Sequence, residues 1–399
     1  MQLTRKIAAD TFYVGGSDRR LQLFENIYPI ERGVSYNSYL VMDDKTVLLD
    51  TVDHSISRQF MENLDYLLGK DGTIDYVIVN HVEPDHCATL GDIIEKYPNV
   101  KIVGNAKTHQ FIQQFYKFDE AKYAITVKEG DTLKTGNHTF TFALAPMVHW
   151  PEVMVTYDMS TKVLYTADGF GTFGALSGSV WADDYDFEGE WLDDARRYFT
   201  NIVGKYGVQT MNLLKKASAL DIKMIAPLHG PIWRENIGWF IDKYKTWATY
   251  SEEAPGVLVV YSSIYGNTEA AATYLAMALG DRGVKNIHMY DASKTDVSVL
   301  LSECFKYSKV VFAAPTYNLE LFPKMEGLLL ELKAHLWQNR KVALIENGTW
   351  AIMAGKKMRE LLSQMKNIEI VNDAPVTIKS SAKESEAAAL DRLADAIVG

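Results

Sequence analysis

Residues 256–399 alternate five short apolar segments with five longer amphipathic segments, and this alternation limits the folds open to that half of the chain. Neighbouring parallel strands need a long crossover, which a helix supplies, so the pattern predicts a doubly wound α/β sheet. Ligands of such sheets bind at the carboxyl ends of the strands. The predicted strands are 256–261, 286–290, 309–314, 341–346 and 368–371, and the predicted helices are 269–279, 297–305, 324–337, 356–365 and 384–397.

The first part of the chain has a less regular pattern. Strand-like segments at 39–42 and 46–49 precede a mixture of strands and helices, with helical stretches predicted at 191–206 and 237–250. This pattern alone indicates only a mixed α and β domain. A Ser-Glu-Glu-Ala-Pro-Gly stretch at 251–256 separates the two patterns, and 399 residues are enough for two cores. We therefore predict domains at residues 1–252 and 256–399.

A His-Val-Glu-Pro-Asp-His sequence directly follows the apolar run at 76–79. In an extended stretch, side chains two positions apart point the same way, so His81, Glu83 and Asp85 are expected to converge, with His86 beside them. Three more candidates each follow a short apolar run and lie beside Pro or Gly. One such residue alone is more typical of a core or loop position, but the set predicts a two-metal site. The additional candidates are His149, Asp168 and His229.

Three loops at predicted strand ends of residues 256–399 are rich in Ser, Thr, Asn and Gly. The first loop leads into a predicted helix, and hydroxyl and N–H groups at a helix N-terminus bind phosphate. The loop has no Walker-type Lys, which disfavours a nucleoside triphosphate as the ligand. The other two offer polar groups to the edge of a flat ring, with Tyr317 or Trp350 covering its face. We therefore predict an FMN site. Its candidate residues are Ser262, Ser263, Ile264, Tyr265, Gly266, Asn267, Thr268, Pro315, Thr316, Tyr317, Asn318, Asn347, Gly348, Thr349, Trp350 and Ala351.

Together the two halves resemble the flavodiiron proteins across nearly the whole chain. The metal motif is similar to the His-x-His-x-Asp-His of metallo-β-lactamase hydrolases, but Glu83 replaces the second His and shifts preference from zinc towards iron or manganese. The resemblance implies an N-terminal αββα metallo-β-lactamase-like sandwich, a C-terminal flavodoxin-like domain, FMN and two non-haem irons. It implies that His81, Glu83 and His149 hold one iron, that Asp85, His86 and His229 hold the other, and that Asp168 bridges them.

The same resemblance implies an enzyme that reduces O2 to water, NO to N2O, or both. Electrons come through FMN from rubredoxin or a similar separate carrier, and the subunits form a head-to-tail homodimer, with a homotetramer as the alternative. No catalytic residue beyond the metal ligands is assigned. Glu25 lies where many relatives carry a His near the diiron pocket, so the choice between O2 and NO stays open.

Composition narrows the remaining possibilities. The net charge of −10 belongs entirely to residues 1–255, which disfavours nucleic acid as a partner. Without an apolar stretch of about 20 residues or a signal-peptide core, we expect no membrane contact and a cytoplasmic location. Two other functions stay open: a metallo-hydrolase with an accessory flavodoxin module, and a flavodoxin-like electron carrier with a metal-free N-terminal scaffold. Iron content discriminates among the three.

Overall fold

The structure is a computed structural model that describes residues 2–117 and 119–399, and its chain divides into two units. The first unit runs to Phe199 and includes Val208–Lys245, and the second contains Thr200–Gly207 and Thr246–Gly399. The short segment Thr200–Gly207 therefore belongs with the C-terminal unit. The domain boundaries predicted from the sequence, 1–252 and 256–399, stay a prediction. None of the described helices combines the length and apolar character needed to cross a bilayer.

The first unit is built on a seven-stranded and a five-stranded sheet, which confirms the predicted αββα class. Its strands are β1 (Arg5–Ala8), β2 (Thr11–Tyr13), β3 (Gly16–Asp18), β4 (Leu23–Phe24), β5 (Tyr28–Pro29), β6 (Val34–Tyr36), β7 (Tyr39–Val41), β8 (Val47–Leu49), β9 (Tyr76–Ile78), β10 (Lys101–Gly104), β11 (Ala124–Thr126), β12 (Thr132–Lys134), β13 (Thr139–Leu144), β14 (Met154–Asp158), β15 (Val163–Tyr165) and β16 (Met224–Ala226). The larger sheet has the order β1-β2-β7-β8-β9-β10-β11, and the smaller has the order β12-β13-β14-β15-β16.

The helices before residue 250 vary widely in length. They are α1 (Ser57–Leu68), α2 (Pro84–Cys87), α3 (Leu90–Lys96), α4 (Ala106–Phe115), α5 (Glu120–Tyr123), α6 (Phe187–Glu190), α7 (Leu192–Tyr198), α8 (Gly207–Ala217) and α9 (Ile237–Ala248). Turns of 3-10 helix lie at His54–Ile56, Ala182–Asp184 and Gly204–Tyr206, and a π-helix covers Phe199–Val203. The helical stretch predicted at 191–206 is present from Leu192 to Tyr206, but it consists of α7, a π-helix and a 3-10 turn, which apolar periodicity does not distinguish.

Buried apolar strands lead directly to the candidate metal motif. Strands β7 and β8 are buried along their whole length, and β8, β9 and β10 pair in parallel. Parallel strands covered on both faces read as continuous apolar runs, which is why β8 and β9 were visible in the sequence. Strand β7 pairs antiparallel with β2 and β8 but is equally buried, so it also reads as an apolar run. The chain leaves the carboxyl end of β9 at Val79 and reaches His81 within two residues.

The second unit contains the predicted parallel sheet. Its order is β18-β17-β19-β21-β22, which is the 2-1-3-4-5 order of flavodoxin-like folds. The strands are β17 (Val257–Tyr261), β18 (Ile287–Asp291), β19 (Lys309–Tyr317), β20 (Glu320–Leu321), β21 (Arg340–Asn347), β22 (Ile368–Ile370) and β23 (Val376–Ile378), and the helices are α10 (Asn267–Asp281), α11 (Val297–Lys306), α12 (Pro323–Ala334), α13 (Ala354–Leu362) and α14 (Glu384–Val398).

The fifth strand of this sheet is split, which the sequence pattern did not predict. Both β22 and β23 pair with β21, one after the other. In the gap between them, the side chain of Asn372 accepts a hydrogen bond from the Leu344 N–H at 3.1 Å and donates one to the Leu344 carbonyl at 3.0 Å. The Asn372 amide thus makes the two hydrogen bonds that a neighbouring strand would make at this point, so the backbone N–H and carbonyl of Leu344 in β21 both have partners.

His138 connects the two sheets of the first unit. Its Nδ1 lies 2.7 Å from Asp158 Oδ2 at the end of β14, and its backbone N–H donates to Asp43 Oδ2 in the turn between β7 and β8. The hydrogen bond to Asp158 raises the pKa of the imidazole; burial opposes this, while the charges of Asp158, Asp43 and Asp10 add to it. The protonated side chain therefore stabilises the folded state.

We expect His138→Gln to lower the free energy of unfolding by about 1–3 kcal/mol at pH 6, because a charge-assisted hydrogen bond to a buried carboxylate is lost. A raised folded-state pKa contributes its full stability below the unfolded value of about 6.5 and loses it as pH rises through the folded value. The difference between wild type and variant in denaturant titrations should shrink by pH 9. An unchanged difference would contradict this account, and His54→Gln, at an exposed position, is the control.

Candidate metal and flavin sites

The metal motif changes conformation in its middle. Pro84 begins the short helix α2, so Asp85 and His86 lie on a helical turn and only the preceding residues are extended. The expectation that His81, Glu83 and Asp85 converge on one side is therefore wrong. The turn instead directs Asp85 away from Glu83, because a proline at the first helical position favours the helical backbone. The motif consequently supplies two separate groups of ligand atoms.

In each group, the donor atoms lie close enough together to bind one metal ion. In the first, the Glu83 Oε2 atom lies 3.1 Å from His81 Nε2 and 2.9 Å from His149 Nε2. In the second, Asp85 Oδ2 lies 3.3 Å from His86 Nε2 and 3.2 Å from His229 Nε2. Donor atoms within each group all lie within 4.8 Å of one another. The first group is His81, Glu83, His149 and Asp168, and the second is Asp85, His86 and His229.

Asp168 lies between the two groups, in the loop after β15. Its Oδ2 atom is 3.1 Å from the Nε2 atoms of His81 and His149. Its Oδ1 atom is 3.1 Å from His86 Nε2 and 3.6 Å from His229 Nε2. One carboxylate oxygen therefore faces each group, which is the geometry that a ligand shared by two metals requires. All seven predicted ligands are thus brought together, while their assignment as ligands stays a prediction.

The side chains fit a pair of cations. Both carboxylate oxygens of Asp85 and the Nε2 atom of His229 are buried and make no hydrogen bond to any residue of the described ranges. Such atoms are costly to bury unless a ligand satisfies them. Burial opposes protonation of His149, yet hydrogen bonds to Asp168 and Glu83 raise its pKa to about 9, so the pocket attracts positive charge. Imidazoles and carboxylates without thiolates suit non-haem iron.

Two of the histidines are oriented from behind by acceptors that the sequence did not reveal. The Nδ1 atom of His81 lies 2.7 Å from the carboxylate of Glu152, and that of His229 lies 2.8 Å from the carbonyl of Ser35. These contacts fix each ring so that Nε2 faces its group. Glu152 had one sequence signal, since it follows His149 by three positions and precedes an apolar strand.

Asp50 anchors the start of the metal motif. The carboxylate accepts hydrogen bonds from the backbone N–H groups of Asn80 and His81 at 2.7 and 3.2 Å, and from the side chain of Asn80 at 2.7 Å. Burial raises the pKa of Asp50 to about 6, and the side-chain hydrogen bond from Asn80 opposes this shift. Three donors therefore hold one carboxylate under the loop. Sequence reasoning missed it because Asp50 ends a strand far from the motif.

Glu25 reaches the first group from the turn between β4 and β5. Burial of its carboxyl group, together with the charges of Glu83 and Asp85 and a contact with the Glu83 carboxylate, raises the pKa of Glu25 to about 8, and His149 opposes the shift. The rest of the residue is exposed, and its φ of 50° is left-handed. The family resemblance, which implied that position 25 lies near the pocket, therefore agrees with the structure. A single side chain here contacts both solvent and a candidate ligand.

Aromatic rings enclose the two groups. Phe24, Tyr36 and Tyr198 pack around His229 with ring centroids 5.3, 5.8 and 5.4 Å from the imidazole. On the other side, the Trp150 ring stands edge-on to His81 at 5.3 Å. Rings packed this closely fix the imidazoles and exclude water from one side of each. Trp150 thus packs against a predicted ligand and covers one side of its ring.

A cleft of about 280 Å³ lies at the carboxyl ends of β17, β19 and β21. None of its described lining residues is Lys or Arg, so hydroxyl and N–H groups are the available phosphate ligands. Trp350 and Tyr265 stand 70% and 90% exposed, which excludes a core role for either. Twelve predicted residues line the cleft: Ser263, Ile264, Tyr265, Asn267, Thr268, Pro315, Thr316, Asn318, Asn347, Gly348, Thr349 and Trp350.

Four predicted flavin residues do not line this cleft: Ser262, Gly266, Tyr317 and Ala351. Ser262 is fully buried beneath it, Gly266 has a left-handed φ of 86° and precedes α10, and the Tyr317 ring packs against Phe322 at 5.9 Å. Consecutive residues of a loop point in different directions, so a loop predicted as a whole includes residues that do not line the cleft, and the flavin assignment of all of them stays a prediction.

Two lining residues were missed, Leu319 and Ser380. Ser380 follows β23, the half-strand that the sequence pattern did not reveal, and its hydroxyl donates to Thr349 Oγ1 at 3.0 Å. Thr268 lies deeper, where its Oγ1 atom accepts a hydrogen bond from Asn347 at 3.2 Å. These contacts join the first, fourth and fifth strands into one polar surface that suits a phosphate and a flat heteroaromatic ring.

We expect Thr268→Asp to weaken FMN binding by at least about tenfold, because it places a carboxylate where the phosphate is expected. Ser385→Asp adds the same charge to the first turn of α14, away from the cleft, and should leave affinity unchanged. Flavin absorbance of the purified proteins and FMN titration of the stripped proteins measure both. Full retention of FMN by Thr268→Asp would contradict the assignment of this loop.

Comparisons with known proteins match both units. Residues 34–230 match the model of the ODP family beta lactamases, and residues 259–388 match the flavodoxin model. An anaerobic nitric oxide reductase flavorubredoxin of Vibrio vulnificus is 31% identical over 87% of this chain and 70% of its own. The rubredoxin oxygen:oxidoreductase of Desulfovibrio gigas has a TM-score of 0.91 and 27% identity over 99% of this chain and 98% of its own. The flavodiiron protein of Giardia intestinalis has a TM-score of 0.93 at 24% identity, covering 100% and 97% of the two chains.

Proposed function

This chain belongs to the flavodiiron proteins, oxidoreductases that act on NO or O2 at a non-haem diiron site and contain FMN. From this premise we propose that it mainly reduces O2 to water and reduces NO to N2O more slowly, with electrons from a rubredoxin-type donor. FMN and two irons together supply the several electrons that either reduction needs. The observation that supports this proposal most directly is the position of Asp168. One of its carboxylate oxygens faces the first group of ligand atoms, and the other oxygen faces the second group.

The proposed ligand set follows these two groups. Each position receives two imidazoles, one carboxylate of its own and one oxygen of Asp168, so the two sets carry equal charge. The aromatic rings around them leave the remaining face for a small, weakly polar gas. His81, Glu83 and His149 would hold one iron, and Asp85, His86 and His229 would hold the other. Metal analysis of purified protein tests this set against a zinc hydrolase and a metal-free scaffold.

We expect Asp168→Ala to abolish reduction of both gases and to lower iron content, because one carboxylate serves both positions. FMN should be retained, since the flavin cleft is lined only by residues of the second unit. Asp158→Ala removes another buried aspartate outside the two groups and should keep two irons per chain. Two irons and normal turnover in Asp168→Ala would refute the shared-ligand assignment.

The proposed assembly is a head-to-tail homodimer, with a homotetramer as the alternative, in which the flavin of one subunit serves the irons of the other. Two-fold symmetry is the commonest closed arrangement of identical subunits. The iron centre of the donor would lie outside residues 1–399, because Cys87 and Cys304 are both buried and do not suffice for a four-cysteine iron centre.

Mixing variants tests this assembly together with the Asp168 prediction. Asp168→Ala and Thr268→Asp subunits are each inactive alone, but a mixed head-to-tail dimer regains one intact flavin–iron pairing. After unfolding and refolding of an equal mixture, roughly a quarter of wild-type activity should return, since half of the dimers are mixed. Activity that stays at zero would show that each subunit depends on its own flavin.

The preference for O2 is proposed from Glu25. Reduction of O2 to water consumes four protons, whereas coupling of two NO molecules consumes two, so proton supply limits O2 reduction more strongly. Glu25 is exposed, and its carboxyl group also contacts Glu83, so it lies between solvent and the pocket. A carboxylate at this position would add negative charge and relay protons, whereas an imidazole would exchange protons without that negative charge and donate a hydrogen bond.

We expect Glu25→Gln, which keeps the shape and removes the ionisable group, to lower the initial rate with O2 by about tenfold or more, the lower range for a lost acid–base group, and to change the rate with NO less. Glu25→His, which replaces the carboxylate by an imidazole, should also lower the ratio of the O2 rate to the NO rate, but to a smaller extent. Stopped-flow assays with reduced rubredoxin and each gas give both rates. Faster turnover of NO than of O2 by the wild type, or an unchanged ratio in both variants, would overturn the proposal.

A further inference from the structure

We propose that Glu152 is a positioning residue that makes the two metal positions electronically unequal. Its carboxylate hydrogen-bonds to His81 and strengthens this imidazole as a ligand, so that the position served by His81 becomes the more electron-rich of the two. The inference rests on the ligand set proposed above. It concerns a residue outside that set, which touches no ligand atom facing the metals.

Glu152 is held firmly in place. It is 1% exposed, and its Oε1 atom accepts hydrogen bonds from His81 Nδ1 at 2.7 Å and from the backbone N–H of Val82 at 3.0 Å. Its own carbonyl accepts a hydrogen bond from the Asn105 side chain at 2.5 Å, which ties this loop to the start of α4. Because His81 Nε2 faces Glu83 and Asp168, its Nδ1 must carry the proton that Glu152 accepts.

Among the described residues, the other three histidines of the proposed ligand set have no carboxylate acceptor at Nδ1. His229 Nδ1 donates to the neutral carbonyl of Ser35 at 2.8 Å. His86 Nδ1 is buried and has no hydrogen-bond partner within residues 2–117 and 119–399. A carboxylate acceptor increases the basicity of an imidazole ligand more than a carbonyl does, because its negative charge draws the shared proton. At the Nδ1 atom, His81 therefore has an anionic acceptor, His229 has a neutral acceptor, and His86 has no acceptor among the described residues.

The inequality arises outside the ligands themselves. Glu83 in one group matches Asp85 in the other, and Asp168 offers one oxygen to each, so the ligands alone carry the same charge. The second carboxylate oxygen of Glu152 is buried and meets no hydrogen-bond donor among the described residues. The charge of Glu152 is therefore shared only with His81 and Val82.

The test compares Glu152→Gln with wild type and with Asp158→Asn. The control removes the charge from another buried carboxylate that lies 2.7 Å from a histidine Nδ1, at His138, outside both groups. Metal affinity is measured by titrating stripped protein with Fe²⁺ under anaerobic conditions, and the two iron reduction potentials are followed by redox titration with Mössbauer detection. None of these readouts requires turnover.

In Glu152→Gln we expect affinity for one of the two irons to fall by about 10- to 100-fold, with the other unchanged, because outer hydrogen-bond partners of ligating histidines have effects of this size. The potential of that same iron should become more positive, since its oxidised form loses stabilisation. Asp158→Asn should change neither quantity. Equal losses at both irons, or the same losses in the control, would overturn the proposal by showing a structural role only.

A measurement on the wild type keeps the proposal testable if Glu152→Gln does not fold. In zinc-loaded protein, the Nδ1 proton of His81 should resonate further downfield than that of His229, because a carboxylate acceptor deshields the proton more than a carbonyl. The reverse order would refute the proposed role of Glu152. Failure of the wild type to bind two metals is a different result, which would refute the proposed function itself.

Discussion

The metal site depends on a buried carboxylate that binds no metal. Asp50, at the end of β8, accepts three hydrogen bonds from Asn80 and His81 and so fixes the chain as it leaves β9. Its own backbone has a left-handed φ of 55°, which costs about 1–2 kcal/mol for a residue other than glycine. With Asp50 in place, His81 and the helix that begins at Pro84 point into the pocket. Asp50 thus fixes where the motif starts, and the turn at Pro84 then separates the two ligand groups.

Both sites use the same property of parallel sheets. The metal motif follows β9, which pairs in parallel with β8 and β10, and the flavin loops follow β17, β19 and β21. Carboxyl ends of parallel strands meet at one edge, so residues distant in sequence come together there without long loops. This explains the cleft formed by residues 263 to 380 in the second unit, and it places Asp168 and His229 side by side after the parallel strands β15 and β16. The metal pocket additionally needs both sheets of the first unit, because His81 follows β9 of the larger sheet and His149 lies between the antiparallel strands β13 and β14 of the smaller one.

Sequence reasoning found the parts of these sites that depend on residue type at strand ends, and the comparisons support the fold class and cofactors that it implied. It failed where side-chain direction or local backbone decides. Asp85 was expected to point with His81, but Pro84 starts a helix between them. Ser380 was missed because Asn372 interrupts the fifth strand by imitating a backbone step, and no hydrophobic pattern records such a contact. Glu152 was missed because an acceptor behind a ligand has no motif of its own.

The backbone conformation of the turn that carries Glu25 limits which residue types can occupy this position beside the pocket. Both Glu25 and Asn26 have left-handed φ values, of 50° and 57°, and β-branched side chains are strongly disfavoured in that conformation. The residues tolerated at position 25 are therefore mainly glycine and unbranched polar residues, such as asparagine, aspartate, histidine and the glutamate present here. Of these, aspartate, glutamate and histidine carry an ionisable group, whereas glycine and asparagine do not. The backbone of a surface turn thus excludes β-branched side chains from this position and leaves a short set of residues, of which some exchange protons and some do not.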